Sequence, residues 1–279
     1  MNGIVINVDP VIFHLGGFEL RWYSVAIMVA VVAAVAVAIR EGKRRGIRAA
    51  EFYNLAPWVL LGGLVGARLF HVVDRWSYYA ANPSAIFMVQ QGGLAIWGGL
   101  AGGGLAAAVY ARRRHLSFGL LADALVPGLL VAQMVGRLGC IVNGDAYGGY
   151  TSLPWGFIYM HPGAMIPAEL AGVPTHPYPV YEILWNGIAL FALLRLRPHL
   201  KRNGLLFLAC AMFYAAGRFV LTFVGQETEF LWGMQQAQVL AVLVLAVAAG
   251  AFAGLLLGPR AGPGRAVTAS NAAGPGNGP

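Results

Sequence analysis

Charge is what this chain has least of. Asp, Glu, Lys and Arg together make up 11% of its 279 residues, against 58% hydrophobic residues and a mean hydropathy of +0.66. So few charges cannot coat a soluble domain of this size, and the composition is that of a polytopic membrane protein. Acids are scarcest, at 11 against 19 Lys and Arg, which gives a formal net charge of +8. In a soluble chain that excess would suggest nucleic acid as a partner. Here the basic residues fall in a few short segments, as a membrane topology requires, so nucleic-acid binding is not expected. Two cysteines, Cys140 and Cys210, give neither a disulfide framework nor a metal-ligand spacing. Six scattered histidines without clustered carboxylates imply no metal site, and no cofactor is called for. The N-terminus lacks the basic start, short apolar core and small-residue cleavage site of a secretory signal, so the first helix is expected to be retained.

What the chain has instead is long apolar runs. Residues 2–21 mix apolar and polar residues with Pro10, Gly16 and Gly17, and read as a re-entrant or interfacial segment. Seven helices are then expected, over about residues 23–39, 52–73, 92–110, 118–140, 180–196, 204–224 and 235–257, with interfacial aromatics at their ends. Gly62, Gly63 and Gly66 in the second and the pairs Gly98-Gly99 and Gly102-Gly103 in the third have the small-residue spacing of closely packed helices. The segment 143–179 is too long and too rich in Pro, Gly and aromatics for a tight connector. The Gly/Pro/Ala tail, 258–279, is expected to be disordered.

Of the 19 basic residues, 14 fall after the first, third, fifth and seventh helices, from Arg40 to Arg48, Arg112 to Arg114, Arg195 to Arg202, and in the tail. The opposite side has Arg21 and Arg75. The positive-inside rule then puts the N-terminus outside, the C-terminus in the cytoplasm and segment 143–179 on the outer face. Residues 1–257 form one membrane-embedded domain in this reading, all-α in class.

Three arginines remain inside helices: Arg68, Arg137 and Arg218. Each can be a structural residue paired with an intramembrane acid, and Asp123 and Glu182 are the acids available. Three bases against two acids leave an excess of positive charge. The anion most available in a bilayer is a lipid phosphate, which guanidinium binds through paired hydrogen bonds.

The run Gly136-Arg137-Leu138-Gly139-Cys140-Ile141-Val142-Asn143-Gly144-Asp145, with Gly148, resembles the signature of bacterial prolipoprotein diacylglyceryl transferases, Gly-Arg-x-Gly-Asn-x-x-Asn-Gly-Glu-x-x-Gly. Other pieces agree in order: Asp9 to Phe13, Arg21-Trp22-Tyr23, Gly66-Ala67-Arg68, Gly92 to Leu100, Asp123 to Pro127, His176 to Glu182, and Tyr214 to Phe219. The resemblance covers roughly residues 8–257. It implies an inner-membrane enzyme that moves the diacylglyceryl group of phosphatidylglycerol to the lipobox cysteine of preprolipoproteins and releases glycerol phosphate. On that resemblance Arg137 and Arg218 hold the phosphate, Tyr23 joins them as a catalytic residue, and Asn143, Asp145, Tyr214, Glu182 and Arg68 are further substrate-binding positions.

The departures are specific. Trp97 stands where many members of that family have His, Cys140 where they have Asn, Asp145 where they have Glu, and Thr222 and Gly225 where Glu and Arg are common. Besides an active enzyme, a lipid-binding relative without turnover and a small transporter of an anionic solute remain open.

Overall fold

The computed structural model describes residues 3–16, 18–89, 92–225, 229–231 and 233–258. The tail expectation thus lies almost wholly outside the described residues. In chain order the protein has strand β1 (Ile4–Ile6), a hairpin of β2 (Val11–Leu15) and β3 (Phe18–Arg21), and helices α1 (Trp22–Arg44), α2 (Ala49–Asp74), α3 (Trp76–Ala81), α4 (Ile96–Arg113) and α5 (Phe118–Asn143). Strand β4 (Phe157–Tyr159), α6 (Tyr178–Leu196), α7 (Leu205–Leu221), the short pair β5 (Glu229–Leu231) and β6 (Met234–Gln235), and α8 (Gln236–Leu257) follow.

The class is mainly helical rather than purely so. The part read from sequence as a re-entrant or interfacial segment carries strands β1, β2 and β3, because β-branched and aromatic residues dominate Ile4–Ile6 and Val11–Leu15 and favour extended backbone. β1 pairs in parallel with β4, so Ile4–Ile6 are fastened to the segment between α5 and α6. Six helices among the described residues are long and apolar enough to cross a membrane. α4 is not one of them: its 18 residues include five glycines and end in Arg112 and Arg113. α1 outruns its apolar stretch by a turn, since Glu41 continues the helix with an ion pair to Arg45 four residues on.

Helix packing follows the small residues. α2 and α4 press backbone to backbone, and a methyl group on Gly66 would collide with the Gly98 carbonyl, as one on Gly102 would with that of Gly62. α5 lies against α1, α6 and α7. It starts at the Ser117 cap, continues through Pro127 and stops at Gly144, whose left-handed φ of 72° ends the helix.

The two ends of the bundle differ. At the end with the α1–α2, α4–α5 and α6–α7 connections, every carboxylate engages arginines. Glu41 pairs with Arg45 and Arg197, and Glu51 with Arg48 and Arg114. Asp123, fully buried, meets Arg45 at 3.4 Å and accepts hydrogen bonds from Gly204 N at 2.9 Å and Phe207 N at 2.8 Å. α7 begins at a glycine with no side chain to cap it, and this carboxylate from α5 caps it instead. Here α1, α5, α6 and α7 are locked together.

Candidate active site

At the opposite end, α5, α6 and α7 each contribute a charge. Arg137, two turns before the end of α5, donates from Nη2 to Glu182 Oε1 at 2.9 Å, and its Nε lies against Oε2 of the same carboxylate, a two-pronged pair. Arg218 of α7 approaches Glu182 Oε1 at 3.9 Å from the other side, and its Nη1 donates to the Tyr178 hydroxyl at 2.8 Å. Glu182 and Tyr178 are four residues apart, so one face of the first turns of α6 presents both groups. Two guanidinium groups thus converge on one carboxylate, at a place where an anion can share them.

Both arginines line a cavity of roughly 330 Å³ bounded by α4, α5, α7 and α8. Tyr214, one turn from Arg218, and Trp97 and Gln236 give it further polar groups, while Leu100, Leu240 and Val244 give it apolar walls. The positions along α8 that face it, 236, 237, 240, 241 and 244, form one helical stripe. A cationic head and an apolar flank suit an anionic amphiphile.

Around Arg137 a second group of residues gathers away from that cavity's lining. Arg137 Nη1 lies 3.7 Å from Cys140 Sγ, which in turn lies 4.0 Å from Asp145 Oδ2. Tyr23 packs on Gly139, where its Cα would be 3.1 Å from an added methyl group. Asn143 is buried and turned toward the loop: its Oδ1 accepts from Arg21 Nη1 at 3.4 Å, its Nδ2 lies 3.2 Å from Met165 Sδ, and its carbonyl accepts from Met165 N at 2.9 Å. Gly148 lies where chain segments cross, its N bonded to His176 O at 3.1 Å and a methyl there 2.7 Å from Val224 O, so no larger residue fits. Trp155 and His176 both reach the Tyr181 hydroxyl at 3.1 Å and fasten the loop to α6. Inside this platform Tyr159 is 2% exposed, and among the described residues its hydroxyl has no hydrogen-bond partner. Burial pushes that phenol's pKa up, with Asp145 adding to the rise.

Of the residues singled out by sequence, Arg137, Arg218 and Tyr214 share the cavity and Glu182 joins the two arginines. Tyr23, Asp145 and Asn143 belong to the neighbouring group around Cys140 and the loop. Arg68 stands apart: its guanidinium donates to the carbonyls of Ala85, Ile86, Met88, Gly92 and Gly93 at 2.5 to 3.4 Å, holding the segment between α3 and α4. Its partner is backbone rather than an acid. Sequence reading did not single out Tyr178 as a site residue, although it lies within the matching piece His176 to Glu182, nor Gln236, a polar residue opening an apolar run.

The chain matches the family model described as prolipoprotein diacylglyceryl transferase over residues 10–253. Similar proteins named phosphatidylglycerol–prolipoprotein diacylglyceryl transferase include one from Limosilactobacillus reuteri (strain DSM 20016), 37% identical over 248 residues that span 87% of this chain and 89% of its own. Another, from Clostridioides difficile (strain 630), is 35% identical over 236 residues, 85% of this chain and 91% of its own. One from Dehalococcoides mccartyi (strain BAV1) is 36% identical over 245 residues, 87% and 92%. With a family model matched across nearly its whole length and relatives of this similarity over most of both chains, the protein belongs to the prolipoprotein diacylglyceryl transferase family.

Proposed function

We propose that the protein transfers the diacylglyceryl group of phosphatidylglycerol to the lipobox cysteine of a preprolipoprotein, releasing glycerol phosphate. The observation that carries this reading at the site is the pair Arg137 and Arg218, converging on Glu182 at the head of an amphipathic cavity. In this reading the cavity opens toward the bilayer and holds the phosphate of one phosphatidylglycerol against the arginines and the start of its acyl chains along Leu100, Leu240 and Val244. The cysteine sulfur attacks the glyceryl carbon that carries the phosphate. The carbon–sulfur bond forms as the carbon–oxygen bond breaks, the electron pair leaves on the phosphate oxygen, and the thiol proton passes to that oxygen or to water. The arginines stabilise the charge that builds on the leaving phosphate, and their field favours the thiolate. Trp97 also lines the cavity, and its indole donates but accepts no proton, so the base supplied by the family imidazole is not furnished from that position.

Residues 1–257 act as one transferase domain in the bacterial inner membrane, with α4 crossing as a seventh span. The basic end faces the cytoplasm, and β1 to β4 with the segment between α5 and α6 face outward, where the preprolipoprotein presents its cysteine. Asn143 and Asp145 fix the site to that platform, and Tyr23 supports the signature helix beside Arg137.

The test is release of glycerol phosphate by the purified protein in detergent with phosphatidylglycerol and a lipobox peptide. Release is expected to require the peptide cysteine and to be lost in Arg137→Ala, which should remain membrane-inserted. Full activity in that variant would sink the site assignment. Tight phosphatidylglycerol binding without release in the wild type would leave a lipid-binding protein and overturn the transferase reading.

A further inference from the structure

The cavity is graded along its length. α7 runs toward the site end, so Tyr214 lies one turn deeper in the bundle than Arg218. α8 runs the other way, so its stripe begins with Gln236 at the site end and reaches Val244 about 12 Å deeper, at 1.5 Å per residue. The cavity therefore passes from a carboxamide, through the arginines, to aliphatic walls. A phospholipid seated with its phosphate at the arginines and its chains inward carries whatever group esterifies the phosphate on the other side, beside Gln236.

The arginines cannot identify that group. Guanidinium reads the phosphate common to every phospholipid, and two of them disfavour only headgroups that bring a cation of their own. Distinguishing one anionic phosphodiester from another needs neutral donors and acceptors placed beyond the phosphate. Of the neutral polar groups lining the cavity, Tyr214 lies on the chain side of Arg218 and the Trp97 indole only donates. Gln236 both donates and accepts, the combination that matches a hydroxyl pair. Its neighbour Gln238 is engaged at the helix start, with Oε1 accepting from Gln235 N at 3.0 Å. Among the described residues, no partner holds the Gln236 carboxamide. It is a polar side chain at the start of α8, a helix whose most apolar 18-residue stretch has a mean hydropathy of 2.7.

We infer that Gln236 is the specificity-determining residue for the lipid headgroup, its carboxamide hydrogen-bonded to the hydroxyls of the terminal glycerol of phosphatidylglycerol. This rests on the reading of the cavity as the phosphatidylglycerol site. The experiment compares transfer to a lipobox peptide from phosphatidylglycerol and from phosphatidylethanol of the same acyl chains. The latter is also an anionic phosphodiester but has no headgroup hydroxyls. The wild type should prefer phosphatidylglycerol in kcat/KM, and Gln236→Met, of similar length and helix propensity, should shrink that preference about tenfold, the worth of one or two hydrogen bonds in an open site. Gln236→Asn, a shorter carboxamide, should restore part of it.

A wild type that prefers phosphatidylglycerol while Gln236→Met prefers it equally overturns the assignment of Gln236. So does a wild type indifferent to the two lipids. Transfer from neither lipid, or transfer from both in Arg137→Ala, overturns the underlying reading of the cavity instead, so the two failures are separable.

Discussion

Replacing Glu182 with Gln removes the negative charge on which Arg137 and Arg218 converge while keeping the side chain's shape. Opposite charges about 4 Å apart attract by about 4 kcal/mol at an effective dielectric constant near 20. The Arg137 and Arg218 side chains are 31% and 28% exposed and that of Glu182 is 12% exposed, so solvent screening lowers the figure substantially. Glutamine also keeps one accepting oxygen, and a neutral hydrogen bond retains about half the strength of a charge-assisted one. The net loss without lipid is then about 1–2 kcal/mol, a fall in Tm of roughly 2–4 °C for a chain of this size. If the site binds lipid as proposed, its phosphate competes with Glu182 for the same guanidinium groups, so the variant should bind phosphatidylglycerol more tightly, by about fivefold for each ~1 kcal/mol of competition removed. The measurement is thermal unfolding in a neutral detergent with and without saturating phosphatidylglycerol. Lipid should raise Tm more in Glu182→Gln than in the wild type, bringing the two together. An unchanged Tm without lipid, or an equal rise in both proteins, would refute the idea that this carboxylate holds the place of the phosphate.

Three further outcomes follow from the geometry. Arg68→Lys offers fewer donors and no planar fork to five carbonyls, so stability should fall by about 2–4 kcal/mol and the segment between α3 and α4 should become open to protease; a change confined to the KM for phosphatidylglycerol would assign Arg68 to substrate instead. Gly98→Ala drives a methyl group into the Gly66 carbonyl, which should cost about 1–3 kcal/mol and, by displacing α4 and Trp97, slow transfer as well; wild-type Tm and rate together would show that the α2–α4 contact yields easily. Tyr159→Phe removes a buried hydroxyl with no partner among the described residues, so Tm should hold or rise, whereas a loss of about 1 kcal/mol or more would mean that the hydroxyl is bonded in solution.

The membrane helices were legible because the length of an apolar run is a property of the one-dimensional sequence. The strands were less so: Ile4–Ile6 is three residues long, and its partner Phe157–Tyr159 lies some 150 positions away, so no local pattern announces the pairing. The charged residues show the same limit. Sequence could count three arginines and two acids within helices, but the partners of Arg68 are carbonyls, which every residue has, and Asp123 turned to Arg45 and the start of α7.

What separates the clamp at one end from the site at the other is where surplus positive charge is allowed to face. At the basic end Glu51 is buried beneath Arg48 and Arg114, whose side chains are 78% and 45% exposed, so their surplus charge is turned to water and screened. At the other end Arg137 and Arg218 are more enclosed, converge on Glu182 and face a cavity whose remaining walls are largely apolar. Water relieves the first excess, but the second is relieved only partly by a carboxylate and most completely by an anion that brings its own apolar body. The same residue types thus make a structural lock at one end and, in the proposed reading, a lipid site at the other, and the difference lies in burial, which the sequence of either helix alone does not encode.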